Sequence, residues 1–279
     1  MVKDNKGKIT YIQNQKEDLA IFRITPEGGV PDYKAGQFLT LGMPVEAEGG
    51  KMIRRGYSIA SHPENKKYFE FVIRWVRKPY PGRLTTELFD AKVGDDVSWI
   101  RPTGHMTIND ELPNGEPDRR RIVCIGGGTG IAPFVSMVQH LHAVGDKREI
   151  VLLHGASYVD ELSYKELLTN LENESLDRGA DKWNFKYRAA ISRPQEWFNR
   201  SWTGQVGRVE QFLRAKPGEQ SPLEDLVGEK LTKDNTMFYI CGWQGTIDGT
   251  MDYLQGRDFV TQRHPREDGS YEVKYESYG

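Results

Sequence analysis

The sequence predicts two domains of different class, an antiparallel β domain followed by an α/β domain built on a parallel sheet. Two observations lead there. Over the first hundred residues, short runs of β-branched and aromatic residues are separated by Gly- and Pro-rich stretches. Beyond them, continuous apolar strands alternate with amphipathic segments, the rhythm of strands joined by helical crossovers.

The elements follow in order. "KITYIQNQ", "LAIFRITP", "QFLTLGMP", "GYSIAS", "YFEFVIRWV" and "DVSWIRP" read as six short strands, and "EGGVPDYKAGQ", "AEGGK", "KPYPGR" and "KVGD" as the turns between them. Six such strands suit a small antiparallel barrel or sandwich. "RLTTELFDA" reads as one helix, with Leu84, Leu88 and Phe89 apolar and Thr85 as a polar group near its start. After "LPNGEPDRR" the rhythm changes. "RIVCIG" is an apolar strand, and "APFVSMVQHLHAVG" a helix with Phe134, Val138, Leu141 and Val144 on one face. "EIVLLHGAS", "ELSYKELLTNLEN", "FKYRAAIS", "VGRVEQFLRA", "TMFYICGW" and "TIDGTMDYLQG" continue the alternation. The boundary is expected in the Pro/Gly/Asp-rich stretch 110–119, giving domains 1–112 and 113–279.

Composition bounds the function. The 279 residues are enough to bury a core. Hydrophobic residues make up 37% and charged residues 28%, as in a globular protein, and a net charge of −2 gives no global case for nucleic-acid binding. The two cysteines, Cys124 and Cys241, are too few for a four-thiolate iron–sulfur cluster or a disulfide framework, so a cytoplasmic setting is the default expectation. No apolar run approaches the ~18 residues of a membrane span, and no signal-peptide core is expected.

"CIGGGTGIAPF" sits at the first strand-to-helix junction of the second half, where an open parallel sheet binds ligands. Gly126, Gly127, Gly128 and Gly130 take side chains away where a diphosphate would approach backbone. Pro133 stands where the common dinucleotide fingerprint has its last Gly, and no Gly-Lys-Ser/Thr follows, so this is neither that fingerprint nor a Walker loop. The other reading is a tight turn that packs helix on strand.

Taken together, "RRGYS", "PGRLTTEL", "GGGTGIAPF", "SR" and "CGW" resemble the ferredoxin–NADP reductase family, in its order and over nearly the whole chain. The resemblance implies an FAD-binding antiparallel β-barrel followed by a Rossmann-like NADP-binding domain. It also implies hydride exchange between nicotinamide C4 and flavin N5, and passage of single electrons to a carrier protein.

By that resemblance, Arg55 pairs with the FAD diphosphate, Gly56 and Tyr57 lie against the flavin, and Ser58 hydrogen-bonds near N5. A forked cation suits a diphosphate, an aromatic face suits a flat ring, and a hydroxyl suits an atom that gains a proton. Arg54 reads as a solvated neighbour. Gly82, Arg83, Leu84 and Thr85 would offer N–H groups and a hydroxyl to the diphosphate at a helix start. Val72, Ile73, Arg74 and Trp75 would line the flavin or its ribityl chain, with Trp75 either stacked on adenine or part of the barrel core.

For the nucleotide, the resemblance implies Gly128, Thr129 and Gly130 in the glycine loop, with Thr129 also near the flavin. Ser192 and Arg193 would hold the 2′-phosphate, with Thr203 and Arg208 in the next matching segment and Cys241 and Gly242 beside the nicotinamide. Ser157, Gln205 and Trp243 depart from the family's pattern, the first two where some members carry arginine. In the tail, Tyr278, then Tyr275, is the candidate for the aromatic over the flavin, and Glu276 for a proton relay toward Ser58. The alternative is a solvated acidic end. Small acidic carriers, ferredoxin or flavodoxin, are the implied partners, with Arg77, Lys78 and Arg83 as a basic docking patch. Two other readings stay open: a reductase serving an oxygenase or reducing free flavin, and a non-catalytic FAD- and nucleotide-binding subunit.

Overall fold

The computed structural model describes residues 4–278. Backbone packing divides the chain into two units, one of Met1–Thr107 with Ala132–Ala143, the other of Ile108–Ile131 with Val144–Gly279.

The first unit holds β1 (Asn5–Lys16), β2 (Leu19–Pro26), β3 (Phe38–Val45), β4 (Lys51–Ser58), β5 (Phe69–Arg74), α1 (Arg83–Asp90) and β6 (Asp96–Thr103). The strands form one antiparallel sheet in the order β4-β3-β6-β1-β2-β5. Its two edge strands meet where Ala60 N, just past β4, donates to Glu70 O of β5 at 2.8 Å. Curling brings one face of all six strands inward. Ile9, Phe22, Leu39, Leu41, Ile53, Phe71 and Trp99 fill that interior, the closed arrangement in which alternating side chains line a core. "GYSIAS" begins earlier than expected: the strand runs from Lys51 and ends at Ser58.

Helix α1 buries Leu84 and Leu88, four residues apart, and packs on β3 and β4. Phe89 is half-buried, edge-on to Phe22. The expected N-terminal role of Thr85 is not what forms. Gly82 is the cap, and Thr85 and Thr86 both donate their hydroxyls back to its carbonyl, at 2.9 and 2.8 Å.

The helix that follows the glycine loop, α2 (Ala132–Val144), groups with this first unit except for its last residue. Ser136 Oγ donates to Ser61 O at 2.6 Å, and His140 Nδ1 lies 2.7 Å from Glu64 Oε1. Phe134, Val138 and Leu141 are buried as the periodicity predicts, whereas Val144 is exposed at the helix end.

The second unit holds β7 (Arg121–Gly127), β8 (Ile150–Ala156), α3 (Lys165–Arg178), β9 (Phe185–Ile191), β10 (Gln205–Val206), α4 (Pro222–Val227), β11 (Thr236–Gly242), α5 (Gln244–Gln255) and β12 (Val273–Ser277). All pairings are parallel, in the order β10-β9-β8-β7-β11-β12. From β7 the chain moves outward to β8, β9 and β10, then returns to lay β11 on the other side. The carboxyl end of β7 is therefore the topological switch point, where such sheets bind ligands. Val123, Ile125, Val151, Leu153, Phe238 and Ile240 form the central core. The tail becomes the edge strand β12 instead of a loose acidic end, with Glu276 paired to Cys241 in the ladder. No helix of the described residues is long and apolar enough to cross a membrane.

Candidate functional site

Strand β4 sets out the first unit's candidates by alternation and edge position. Ser58 is buried, Tyr57 half-buried, and Arg54, Arg55 and Gly56 exposed. The two arginines separate. Arg54 forms an ion pair with Asp4 and is not merely solvated. Arg55 rests one donor on the Arg54 carbonyl at 2.7 Å and has no carboxylate partner among the described residues. The Tyr57 ring lies edge-on to Phe71 at 6.4 Å, and burial pushes its hydroxyl well above the usual phenol range, against the nearby Arg55 charge. At pH 7 it is a neutral aromatic face.

At the start of α1 no side chain caps the helix, which leaves the first-turn N–H groups of Arg83, Leu84 and Thr85 as an anion-binding end. Leu84 is buried, so it contributes backbone alone. Val72 and Ile73 are likewise core side chains; because β5 is an edge strand, it is their backbone that can face a ligand. Arg74 is tied to Asp18 at 2.9 Å. Trp75 is engaged within the protein: its indole N–H donates to Thr86 Oγ1 at 3.1 Å, its ring packs on Phe89, and the Arg77 guanidinium sits 4.1 Å from its centre. An adenine stacked there would have to take the place of Arg77. The expected docking patch is partly neutralised, since Arg77 pairs with Glu17 and Arg83 with Glu48, leaving Lys78 exposed. An uncapped helix start, on a helix that packs on the strand carrying Arg55, fits a diphosphate-bearing cofactor.

In the second unit the glycine turn follows β7 as a 3₁₀ turn, Gly128–Ile131. Its glycines have different reasons. A Cβ on Gly130 would lie 2.2 Å from the Cys241 carbonyl oxygen, on Gly127 2.6 Å from Thr246 Oγ1, and on Gly126 3.1 Å from Ile131 Cα. Gly130 and Gly127 are required by close packing of the turn on β11 and α5, and Gly126 is crowded by the turn's own backbone at Ile131. Gly128 alone faces open space, at φ +57°. Of the loop, only Gly128 and the half-buried Thr129 beside it are therefore left open to a diphosphate. Below the turn, His154 is fully buried with Nδ1 3.2 Å from the Tyr187 hydroxyl, and burial lowers its pKa to about 4, so it is neutral.

Cys241 is fully buried at the end of β11. Burial pushes its thiol up to about 12, against a hydrogen bond from Tyr278, so it is a protonated, polarizable wall and not a nucleophile. Tyr278 N donates to Gly242 O at 2.9 Å, which fixes the tail beside Gly242. Tyr275 is half-buried on the flank of β12.

Arg193, just past β9, donates to the Tyr158 hydroxyl at 2.9 Å, with its guanidinium 5.5 Å from that ring. Ser192 beside it is exposed, and Asn199 clamps the loop by donating to Arg193 O at 2.7 Å. Phe198 meets Tyr158 edge-on at 6.4 Å. Arg208 lies over Trp243 at 5.2 Å, which brings it to the end of β11 beside Gly242. Thr203 is exposed in the loop before β10. Gln205 bonds within its own strand, and Ser157 N donates to Glu161 at 3.3 Å. The sequence carried no signal for the roles of Tyr158 or Trp243, because their partners lie far along the chain.

A model of the oxidoreductase FAD-binding domain matches residues 6–108, and one of the oxidoreductase NAD-binding domain matches 124–252. The chain is 28% identical over 236 residues to the flavodoxin/ferredoxin–NADP reductase of Escherichia coli K12, covering 85% of this chain and 84% of that one. It is 27% identical over 263 residues to the reductase component of propane 2-monooxygenase from Mycolicibacterium goodii, covering 91% of this chain and spanning 64% of that protein's length. The crystal structure of a ferredoxin NADP+ reductase from Neisseria gonorrhoeae superimposes with a TM-score of 0.76 at 24% identity, over 99% of both chains.

Proposed function

We propose, from this chain's membership of the ferredoxin–NADP reductase family of FAD- and nicotinamide-nucleotide-binding oxidoreductases, that it moves electrons between NADP(H) and a small carrier, a ferredoxin or a flavodoxin. The observation that carries the NADPH choice is Arg193. It stands exposed at the end of β9, held on Tyr158, with no carboxylate among the described residues to compensate it, and a 2′-phosphate is the part of NADPH that NADH lacks. The carrier assignment is supported by relatives named for ferredoxin and flavodoxin.

The flavin supplies the hydride and one-electron chemistry. The chain's part is to hold and orient. Arg55 and the N–H groups opening α1 bind the diphosphate, Tyr57 offers a neutral face to the ring, and Ser58 holds a proton near N5. The buried thiol of Cys241 and the backbone of Gly242 would border the nicotinamide's place. Glu276 and Tyr278 are proposed to act from the tail, as proton relay and covering aromatic.

An anaerobic titration of the FAD-loaded protein with NADPH and NADH tests this. NADPH is expected to bleach the flavin at substoichiometric amounts and NADH to be at least ~10-fold weaker, the range of a charge-assisted contact. Electron delivery to ferredoxin or flavodoxin is then read directly. Equal bleaching by both nucleotides would favour the second reading, a reductase component serving an oxygenase, for which the M. goodii relative speaks. Steady NADPH-dependent dye reduction by the isolated chain disposes of a non-catalytic subunit.

A further inference from the structure

Several arginines in this protein lie over aromatic rings, and they fall into two groups. Arg23 sits over Tyr11 and Tyr68 and also pairs with Glu70 at 2.6 Å. Arg77 sits over Trp75 and pairs with Glu17 at 2.7 Å, and Arg257 over Tyr253 and pairs with Glu224 at 2.7 Å. In these the ring is an addition to an ion pair. Arg193 over Tyr158 and Arg208 over Trp243 have the ring and, among the described residues, no carboxylate. Arg263 over Tyr275 shares that lack, but it flanks the edge strand β12 and not a strand-to-helix turn.

The two ring-held pairs occupy the carboxyl edge of the parallel sheet. Tyr158 follows β8 and Arg193 follows the adjacent β9, so their loops rise side by side. Arg208 follows β10, and the chain then crosses back over the sheet. Val209 packs so closely on Gly155, at the end of β8, that a Cβ there would lie 2.8 Å from it. The Arg208 guanidinium thereby reaches Trp243 at the end of β11. The Trp243 ring is seated on Gly245, where a Cβ would lie 2.6 Å from the ring. Both arginines are thus fixed in place at the edge where the switch point lies.

Ring and carboxylate hold an arginine with different electrostatic results. A carboxylate cancels the guanidinium charge and repels an arriving phosphate. A ring face attracts the cation through its quadrupole, carries no net charge, and is easily exchanged, being worth about a 2- to 5-fold bias at an exposed site.

We propose that Tyr158 and Trp243 are positioning residues that hold Arg193 and Arg208 in reach of an incoming nucleotide's phosphates while leaving both charges uncompensated. Trp243, a departure from the family's pattern, thereby has a role: it aims Arg208. The inference rests on the reading that Arg193 takes the 2′-phosphate.

The test is calorimetric binding to the FAD-loaded protein, with adenosine 2′,5′-bisphosphate against 5′-AMP for Arg193, and NADP+ for Arg208. Tyr158→Leu is expected to lower the preference for the 2′-phosphorylated ligand about 3- to 5-fold, and Trp243→Leu to weaken NADP+ by a similar factor. Trp243→Phe, which keeps a ring, should restore most of its loss, and Tyr158→Phe, which keeps the ring but not the hydroxyl that accepts from Arg193 at 2.9 Å, only part. Gly245→Ala should act like Trp243→Leu, by unseating the ring, although it improves the helix. Loss of simple adenine stacking or of local structure would weaken both ligands equally and leave the preference unchanged, and that result overturns the proposal for Tyr158. If Arg193→Leu and Arg208→Leu weaken binding while both ring variants do not, the rings do nothing and the inference falls with the NADPH reading intact. If Arg193→Leu leaves the preference unchanged, the NADPH reading itself falls.

Discussion

The first unit and the carboxyl edge of the second unit's sheet hold their arginines differently. In the first, Arg54, Arg74, Arg77 and Arg83 are each tied to a carboxylate, from Asp4, Asp18, Glu17 and Glu48. In the second, the arginines at the carboxyl edge, Arg193 and Arg208, are held by rings. Arg55, also in the first unit, leans on a backbone carbonyl while its neighbour Arg54 takes the acid. A paired arginine fixes a strand or loop to its surroundings. An unpaired, exposed one is a hydrated standing charge, open to an anion that reaches it. On the proposed function, the difference separates arginines that build the fold from those that would meet phosphate, and it can be broken or sharpened by experiment.

The largest effect is expected at Arg55. Arg55→Leu removes the one uncompensated guanidinium of β4, and FAD affinity should fall by about 10- to 100-fold, the worth of a charge-assisted contact. Arg54→Leu, one residue away, should change it by less than about 5-fold. Release of flavin fluorescence on dilution measures both. Equal losses would erase the distinction between paired and unpaired arginines.

Much of that distinction is invisible in sequence. "RRGYS" and "SR" mark Arg55 and Arg193, because short motifs preserve residue type and local spacing. What holds an arginine is supplied by other segments, Asp4 for Arg54 and Tyr158 for Arg193, and no local pattern encodes them. The glycine loop shows the same limit. Its turn is legible, but Gly127 and Gly130 are glycines because of Thr246 and Cys241, far along the chain. The two sheets are legible from their rhythms, since alternation and continuous apolar runs are properties of each strand alone. The tail is not: "VKYES" is polar in composition, and it becomes β12 because β11 offers an open edge. The short α4 did carry its signal. Ser221-Pro222-Leu223-Glu224 forms a full capping box, with Pro at the first turn.

Acid separates the two kinds of arginine next. Arg257 depends on Glu224. Burial alone would raise that carboxyl, but Arg257 and the N–H groups of Ser221 and Leu231 reverse this and hold it at about 2, below its ordinary 4.5. The folded-state value is the lower one. The pair's contribution to stability is therefore complete above about pH 4.5 and is lost as the pH falls toward 2. His154 adds a loss at higher pH. Its folded value of about 4 lies below its ordinary 6.5, so the unfolded chain takes up a proton first and stability declines from pH 6.5 toward 4. Thermal melts are expected to fall in both windows, with Arg257→Leu flattening the lower and His154→Gln the upper. Contacts between arginine and ring have no titrating partner in either window. A melt that is level from pH 7 to 3 would contradict both assignments.

The smallest effect belongs to Arg77, which has both kinds of partner, the Trp75 ring at 4.1 Å and Glu17 at 2.7 Å. An exposed ion pair contributes little and the ring contact is comparably weak, so Arg77→Leu should lower stability by less than about 1 kcal/mol. Trp75 already has Phe89 against it and Thr86 on its indole N–H, so its seat does not depend on Arg77. FAD affinity should therefore stay within about 2-fold of the parent, as expected of a tryptophan that packs on the protein. If the variant instead binds FAD several-fold more tightly, Arg77 was occupying the adenine's place. Trp75 would then belong with Tyr158 and Trp243, as a ring that keeps an arginine waiting where a ligand goes.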